Sequence, residues 1–168
     1  MRKICWVVLV LVGLSTVASA QQPEAVTTIF FVRHAEKLNN TNESPLTTQG
    51  KARAATLAQL LQEVAIQAVY STKFVRTQET ARPLAEARNL TVQSYEAHDA
   101  TFIKLLLQKH NGQRILVVGH SNTVPAMLNA LTRRTDFIDL KPDEFDALFI
   151  VTIPRAGTPV VLKLRFKS

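Results

Sequence analysis

Short apolar runs alternate along the chain with segments of helical periodicity. The runs have the length and the β-branched or aromatic content of buried strands. They predict strands near residues 28–33, 66–70, 114–119, 147–153 and 159–166, with a shorter extended run near 91–95. Apolar residues at three- and four-residue spacing predict helices near residues 47–64, 75–88, 99–110 and 122–131.

The predicted helix boundaries depend on capping residues. Thr47 or Thr48 is suited to cap the first helix, and Asp99 to begin the third. The Asn-Gly pair at 111–112 is a C-terminal signal for that third helix. Pro83 is expected to kink the second helix or to begin a new turn there.

Strands that alternate with helices predict a largely parallel sheet with helices on both faces. The last two strands, joined by residues 154–158, indicate a hairpin, which places one antiparallel strand at an edge. We therefore expect an α/β fold, a three-layer α/β/α sandwich around a mostly parallel sheet with one antiparallel edge strand. The 168 residues favour one domain with a sizeable core.

Residues 1–20 have the features of a secretory signal. Arg2 and Lys3 precede an eleven-residue apolar stretch, and a small-residue Ala-Ser-Ala cleavage site follows at 18–20. Eleven helical residues span about 16 Å, roughly half of a bilayer core, so a cleaved signal is favoured over an uncleaved anchor. We expect a domain at 21–168 that is secreted or periplasmic and has no stable membrane span after cleavage.

Composition narrows the chemistry of this domain. Cys5, the only cysteine, lies in the predicted signal, which excludes a thiol nucleophile, a disulfide and a Cys-ligated metal from residues 21–168. The whole chain has a formal charge of +7, and without Arg2 and Lys3 the charge is about +5, which favours anionic substrates or an anionic envelope surface. The basic residues are scattered, so no nucleic-acid partner is expected. His98 and His110 show no ligand spacing with carboxylates, so we expect no metal and no cofactor.

Three of the apolar runs are followed by residues suited to phosphate chemistry. Arg33 and His34 end the first run, Arg76 follows the second, and His120 follows a glycine after another. The C-terminal ends of parallel strands share the edge of a sheet where ligands bind, so we expect these four side chains to converge. Histidine is a nucleophile or acid near neutral pH, and arginine offers a planar fork to phosphate oxygens.

These segments, in this order, resemble the histidine phosphatase superfamily, also called phosphoglycerate mutase-like. The resemblance covers nearly all of the chain after its N-terminal segment. The family signature after the first strand is Arg-His-Gly, and here Ala35 holds the third place. That departure is mild, because alanine has the next smallest side chain. The resemblance implies a phosphoglycerate mutase-like fold, and in size the chain resembles the short phosphohistidine phosphatases.

The resemblance also implies a role for each residue of the constellation. His34 would attack phosphorus in line and form a phosphohistidine that water hydrolyses. A backbone carbonyl would hold the other ring nitrogen of His34 and so select its tautomer. Arg33 and Arg76 would clamp the phosphoryl oxygens, and His120 would stabilise the transition state.

The proton donor to the leaving group is left open by the motifs. One branch of the superfamily carries Asp directly after the second histidine, but Ser121 follows His120 here. Another branch carries a Glu between the second and third motifs, roughly where Glu96 and Asp99 stand. Asp99 is also suited to be a helix N-cap, and the short family members lack a dedicated acid.

Two asparagines are candidate phosphate ligands. Asn40 stands six residues after His34, where related mutases carry a phosphate-contacting Asn, although a plain solvated loop is an equal alternative. Asn122 lies in the turn after His120, where it can donate to phosphate or cap a helix, whereas Thr123 is expected to cap.

The function predicted from these features is that of an exported, metal-independent phosphatase. It would hydrolyse phosphomonoesters or phosphoprotein phosphate, with a phosphorylated small molecule, envelope glycan or protein as substrate. The segment between Arg76 and Gly119 is short for a lid, which predicts an open pocket. Glu36 and Glu79 are expected to orient arginines or to pair with Lys37. The alternatives are a phosphate-binding module of the same fold with little turnover and a phosphomutase.

Overall fold

The computed structural model of the protein describes residues 26–167. The predicted signal at 1–20 lies outside the described residues. In chain order the elements are β1 (Thr27–Arg33), α1 (Thr48–Leu60), β2 (Ala68–Ser71), α2 (Val75–Ala87), β3 (Val92–Ser94), α3 (Phe102–Lys109), β4 (Arg114–Gly119), α4 (Thr123–Thr132), β5 (Ala147–Ile153) and β6 (Val160–Arg165). Within 26–167, no helix has both the length and the apolarity needed to cross a membrane.

The strands form one mixed sheet in the order β3-β2-β4-β1-β5-β6. Strands β1 to β4 pair in parallel, whereas β5 is antiparallel to both β1 and β6. The α/β fold with a mostly parallel sheet is confirmed. One detail differs, since the antiparallel strand β5 lies one place inside the edge and β6 forms the edge. The hairpin returns the chain along the outer side of β5, so β6 runs in the same direction as β1.

The helices cover both faces of this sheet and divide the core in two. Alternate residues of β1 point to opposite faces, so that Ile29 and Phe31 pack with α3 and α4. Phe30 and Val32 pack with α1 and α2 on the other face. The central strands β1 and β4 are therefore buried on both sides. This burial explains why they are continuous apolar runs rather than alternating patterns.

The helix boundaries follow local hydrogen bonding. The Thr47 hydroxyl accepts from the backbone N–H of Gly50 at 3.0 Å, which makes Thr47 the N-cap of α1. Helix α2 is continuous across Pro83, so no new turn begins there. Helix α3 begins at Phe102 rather than at 99. The Asp99 carboxylate accepts from the Thr101 backbone N–H at 2.8 Å and closes a turn ahead of the helix.

Candidate active site

The two histidines of the motifs meet at the C-terminal edge of the sheet. Arg33 at the end of β1 is in register with Gly119 at the end of neighbouring β4, so the next residue of each strand lies beside the other. The His34 backbone N–H donates to the Gly119 carbonyl at 2.9 Å. The ring centroids of His34 and His120 are 5.5 Å apart. Parallel pairing alone therefore brings the two imidazoles together.

Gly119 is required because side chains crowd the end of β4. A Cβ atom at this position would lie 2.8 Å from the Thr123 hydroxyl and 3.0 Å from the Tyr95 hydroxyl. The same Thr123 hydroxyl accepts from the backbone N–H of His120 at 2.9 Å. This bond holds the turn between β4 and α4 and leaves the His120 ring directed toward the site. The expected capping by Thr123 is therefore wrong: Asn122 holds the N-cap position of α4, and the Thr123 hydroxyl binds the backbone ahead of the helix instead.

The His34 ring is held as a neutral tautomer. Its Nδ1 lies 2.8 Å from the Ala35 carbonyl, which can only accept, so Nδ1 carries the proton and Nε2 keeps its lone pair. Burial lowers the pKa of His34 to about 3, and the charge of Arg33 acts in the same direction. The expected carbonyl contact is confirmed. His34 is uncharged at neutral pH, as a nucleophile must be.

His120 is also neutral, but its Nε2 is engaged. It lies 3.0 Å from the hydroxyl of Thr72, which follows β2. Burial lowers the pKa of His120 to about 4, and the positive charge of Arg76 contributes to this shift. Thr72 itself is bonded to the Thr77 hydroxyl at 2.8 Å inside the first turn of α2. The position of His120 therefore depends on three elements of the fold.

Arg33 is anchored by the loop that precedes β5. Its Nη1 donates to the carbonyls of Lys141 at 2.8 Å and Pro142 at 3.0 Å, and its guanidinium lies 4.1 Å from the centroid of the Phe145 ring. Its Nε is buried and has no hydrogen-bond partner among residues 26–167. A buried guanidinium donor without an acceptor is costly, and an anionic ligand beside Arg33 would supply that acceptor.

Arg76 repeats this arrangement on the other side of the histidines. It lies in the first turn of α2, and its guanidinium is 4.4 Å from the centroid of the Phe74 ring. Its Nη1 reaches the carbonyls of Thr41 and Asn42 at 3.4 Å each, and the buried Nε has no partner in the described part of the chain. Two arginines thus present unpaired donors beside two neutral imidazoles.

Two phenylalanines complete the site, and neither was predicted. Phe145 contacts Arg33 and also lies 6.1 Å from the His34 ring, while Phe74 contacts Arg76 and lies 5.2 Å from the His120 ring. Each ring therefore supports one arginine–histidine pair. Phe74 could have been found from the sequence, because it lies two residues before Arg76. Phe145 could not, because its position depends on the path of the chain after α4.

A cavity of about 660 Å³ opens beside His120 and Arg76. Glu96, Asp99 and Asn122, all predicted site residues, also line it. Arg33 and His34 are not among its wall residues, and His34 adjoins it through the ring contact with His120. On the side of His34, the loop before β5 places the Phe145 ring with its centroid 6.1 Å from that of the His34 ring. The pocket is therefore less open on that side than expected.

The two candidate proton donors differ in their surroundings. Glu96 is exposed, and its nearest cationic partner is the Lys73 ammonium group at 3.7 Å. Asp99 accepts hydrogen bonds from the backbone and hydroxyl of Thr101, and these bonds lower the pKa of the Asp99 carboxyl. Asp99 is therefore held as an anion and caps its turn. Of the two carboxylates, only that of Asp99 accepts hydrogen bonds within residues 26–167.

The remaining predicted residues support the site from outside. Asn40 lies on the exposed loop, where its side-chain oxygen accepts from Lys37 at 2.9 Å, and it does not line the cavity. Glu36 binds Arg53 through two carboxylate oxygens rather than Lys37. Glu79 accepts from the Leu46 backbone N–H at 2.7 Å. Glu36 therefore orients an arginine, Arg53, which is one of the two expected roles. The alternative, a pairing of Glu36 or Glu79 with Lys37, does not form among the described residues.

Thr80 joins helix α2 to the turn that carries the first histidine. Its hydroxyl donates to the Arg76 carbonyl at 2.7 Å and accepts from the Ala35 backbone N–H at 3.0 Å. This single side chain connects the two arginine-bearing segments. Among residues 26–167, no cluster of three or more His, Cys, Asp or Glu side chains has the arrangement of a metal site.

Comparison with known proteins agrees with this geometry. The family model described as "Histidine phosphatase superfamily (branch 1)" matches residues 29–99, which include the first histidine and both arginines. Residues 29–99 belong to the histidine phosphatase superfamily. The comparison with curated proteins gave no significant match.

Solved structures share the fold along most of the chain. The protein histidine phosphatase SixA, complexed with tungstate, aligns with TM-score 0.67 and 19% identity over 82% of this chain and 96% of its own. Entamoeba histolytica phosphoserine phosphatase in complex with 3-phosphoglyceric acid aligns with TM-score 0.66 and 16% identity, covering 84% and 98%. A mycobacterial glucosyl-3-phosphoglycerate phosphatase aligns with TM-score 0.67 and 13% identity, covering 85% and 99%. Family and fold together support a phosphatase.

Proposed function

We propose that this protein is an exported, metal-independent phosphatase that hydrolyses phosphomonoesters through a phosphohistidine on His34. The proposal is carried by Arg33 and Arg76, whose buried Nε atoms have no hydrogen-bond partner among residues 26–167 and lie beside two neutral histidines. A phosphoryl group offers these donors the acceptors that the fold does not supply. It also brings an electrophilic phosphorus atom to the adjacent His34 nucleophile.

The first step transfers the phosphoryl group to the enzyme. The free lone pair on His34 Nε2 attacks phosphorus as the bond from phosphorus to the ester oxygen breaks. That oxygen leaves with the bonding electron pair and takes up one proton. Arg33 and Arg76 balance the charge on the equatorial oxygens throughout, and His120 lies against the same group.

The second step returns the enzyme to its starting state. Water attacks the phosphohistidine in line, the bond from nitrogen to phosphorus breaks, and inorganic phosphate leaves. The water gives up a proton, which restores the donor used in the first step. The Ala35 carbonyl keeps Nδ1 protonated through both steps, so the same ring nitrogen is regenerated as the nucleophile.

The test is turnover of p-nitrophenyl phosphate with EDTA present, beside the variant His34→Ala. Wild-type turnover is expected to survive EDTA, and the variant is expected to lose at least about a thousandfold in kcat/KM, as removal of a nucleophile does. Arg82→Ala, on the same helix as Arg76 but outside the site, is the matched control. Turnover that EDTA abolishes would contradict the metal-free route, and tight phosphate binding without turnover would favour a binding module.

Glu96 is the proposed proton donor, and the leaving group tests this role. Glu96→Gln is expected to lower kcat at least tenfold for an alkyl phosphate, whose alkoxide needs a proton, and much less for p-nitrophenyl phosphate. Asp99→Asn serves as the comparison, because it removes a carboxylate already committed to Thr101. An equal loss on both substrates would assign Glu96 to binding instead.

Export is supported by the sequence of residues 1–20, and a secreted or periplasmic location is proposed on that ground alone. The mass of the protein recovered from the medium or the periplasm would give the mature N-terminus, expected at Gln21. Recovery of the uncleaved chain in the membrane fraction would overturn this part of the proposal. The phosphorylated substrate could then be a small molecule, an envelope glycan or a protein.

A further inference from the structure

A second cavity, here called the α3–α4 groove, adjoins the candidate active site. It has a volume of about 470 Å³ and is lined by residues 97–103 and 122–130. Three of its polar wall residues, His98, Asp99 and Asn122, also line the active-site cavity. The two cavities are therefore neighbours that share one wall.

The lining of the groove changes from polar to apolar with distance from this boundary. The polar residues stand at the start of α4 and just before α3. Ala97 lines both cavities, and the rest of the lining is apolar and consists of Ala100, Ile103, Ala126, Met127 and Ala130. Among residues 26–167, no charged side chain lines this part of the groove. It therefore offers neither hydrogen bonds nor counter-charges to an occupant.

The groove runs along two turns of α4. From Asn122 at the shared boundary to Ala130 at the far end, the helix rises by about 12 Å. Ala126 and Ala130 are one turn apart on the same face, so only methyl groups stand there. Met127 is buried beneath them, and Ile103 packs against the same core from α3. The apolar part of the groove therefore follows one face of α4.

We propose that the α3–α4 groove binds the hydrocarbon chain of a phosphomonoester while its phosphate group lies between Arg33 and Arg76. The inference rests on the proposed function and names its substrate class. The anionic end is satisfied by the two guanidiniums, and the apolar end leaves water along α4. A polar leaving group would lose hydration there without gaining any partner.

The first test measures kcat/KM for a series of n-alkyl phosphates from ethyl to octyl, by release of inorganic phosphate from the full-length protein. Each methylene that enters a fully enclosed apolar site strengthens binding by a factor of about four. The groove is partly open, so about twofold per methylene is expected, and at least tenfold over the series. The increase in kcat/KM should end once the alkyl chain is longer than the α3–α4 groove.

Variants of the groove test where the chain binds. Ala126→Glu and Ala130→Glu place a carboxylate in the apolar part, at helix positions that are exposed and tolerate glutamate. In both, the ratio of kcat/KM for octyl phosphate to that for ethyl phosphate is expected to fall to near one. Ala55→Glu, at an exposed alanine of α1 on the opposite face of the sheet, is the matched control and should keep the wild-type ratio.

The outcomes distinguish failure of the groove inference from failure of the proposed function. Equal kcat/KM for ethyl and octyl phosphate, or a ratio unchanged by both groove variants, overturns the inference while p-nitrophenyl phosphate turnover keeps the proposed function intact. A gain with 1-naphthyl phosphate but not with octyl phosphate overturns the choice of a chain. If no ester is hydrolysed, the proposed function fails. Calorimetry with ethyl- and octylphosphonate then tests the groove alone, and equal affinities overturn it.

Discussion

At the scale of single residues, the site depends on how burial changes ordinary side chains. Both imidazoles lose their positive charge because they are buried among cations, and both arginines are held by carbonyls and phenylalanine rings. In His34, the proposed nucleophile, one contact with the neighbouring Ala35 carbonyl leaves Nε2 unprotonated. These effects are local in chemistry, although residues distant along the chain produce most of them.

The lowered histidine pKa values predict activity in acid. His34 and His120 have pKa values of about 3 and about 4 in the folded protein, so both stay neutral well below pH 6. After correction for ionisation of the substrate, kcat/KM is expected to hold through pH 5 and to fall below about pH 4. A pH–rate profile measures this, and half-loss near pH 6.5 would contradict it.

The same shifts predict a loss of stability in acid. An unfolded histidine has a pKa of about 6.5, so the unfolded chain binds protons that His34 and His120 exclude when folded. The free energy of unfolding should therefore decline as pH falls from about 6.5 toward 4, and not as pH rises. Urea midpoints across this range measure the effect. His34→Gln should show a shallower decline than the wild type.

At the scale of elements, the ends of β1 and β4 carry the two histidines, and helix α2 is bonded to the segment that follows β1. β1 and β4 deliver the histidines, and the first turn of α2 delivers Arg76. Thr80 and Glu79 then bond α2 to the segment after β1. Next to this contact, Glu36 after β1 and Arg53 of α1 form an ion pair whose side chains are only 15% and 10% exposed.

Breaking the Glu36–Arg53 pair should destabilise the fold. Glu36→Gln leaves the Arg53 guanidinium without its counter-charge in a nearly buried position, which costs about 3 kcal/mol of unfolding free energy. Urea denaturation of this variant measures it. Arg53→Met combined with Glu36→Gln should recover part of the loss. Asp136→Asn, which breaks the exposed pair with Arg134, is the control and should lose much less.

At the scale of the whole molecule, a core on both faces of the sheet holds the site at its edge. The central strands contribute side chains to two separate clusters, so each face depends on the other through the strands. Edge strand β6 contributes less, because Val160, Leu162 and Leu164 stay exposed. Stability is therefore expected to be concentrated in β1, β4 and the helices packed on them.

Truncation of a central core residue tests this distribution. Leu116 of β4 is fully buried and Leu162 of β6 is 52% exposed. Leu116→Ala is expected to lower the free energy of unfolding by about 2–5 kcal/mol, because it leaves a cavity. Leu162→Ala, the same chemical change at the edge, should lower it by less than half as much. Thermal or urea unfolding compares them, and equal losses would contradict a core centred on β4.

The alternation of strands and helices was predictable from the sequence, because the spacing of apolar residues differs between the two kinds of element. The runs before Arg33 and Gly119 are apolar throughout, which is the local consequence of burial on both faces. The meeting of His34 and His120 was predictable for the same reason, since parallel strands end at one edge. The N-cap at Thr47 and the Ala35 carbonyl contact were also within reach, because both involve near neighbours.

Only the tertiary structure decided the contacts that join distant segments. Phe145 beside Arg33 depends on the path of the loop after α4, and the Glu36–Arg53 pair depends on how α1 packs. Glu96 and Asp99 differ as candidate acids because Asp99 is bonded in the turn before α3, and hydrophobic periodicity does not predict that turn. Sequence patterns report which residues are buried and in which element. Partners across the fold are selected by packing in three dimensions, where many pairings compete and one satisfies the whole core.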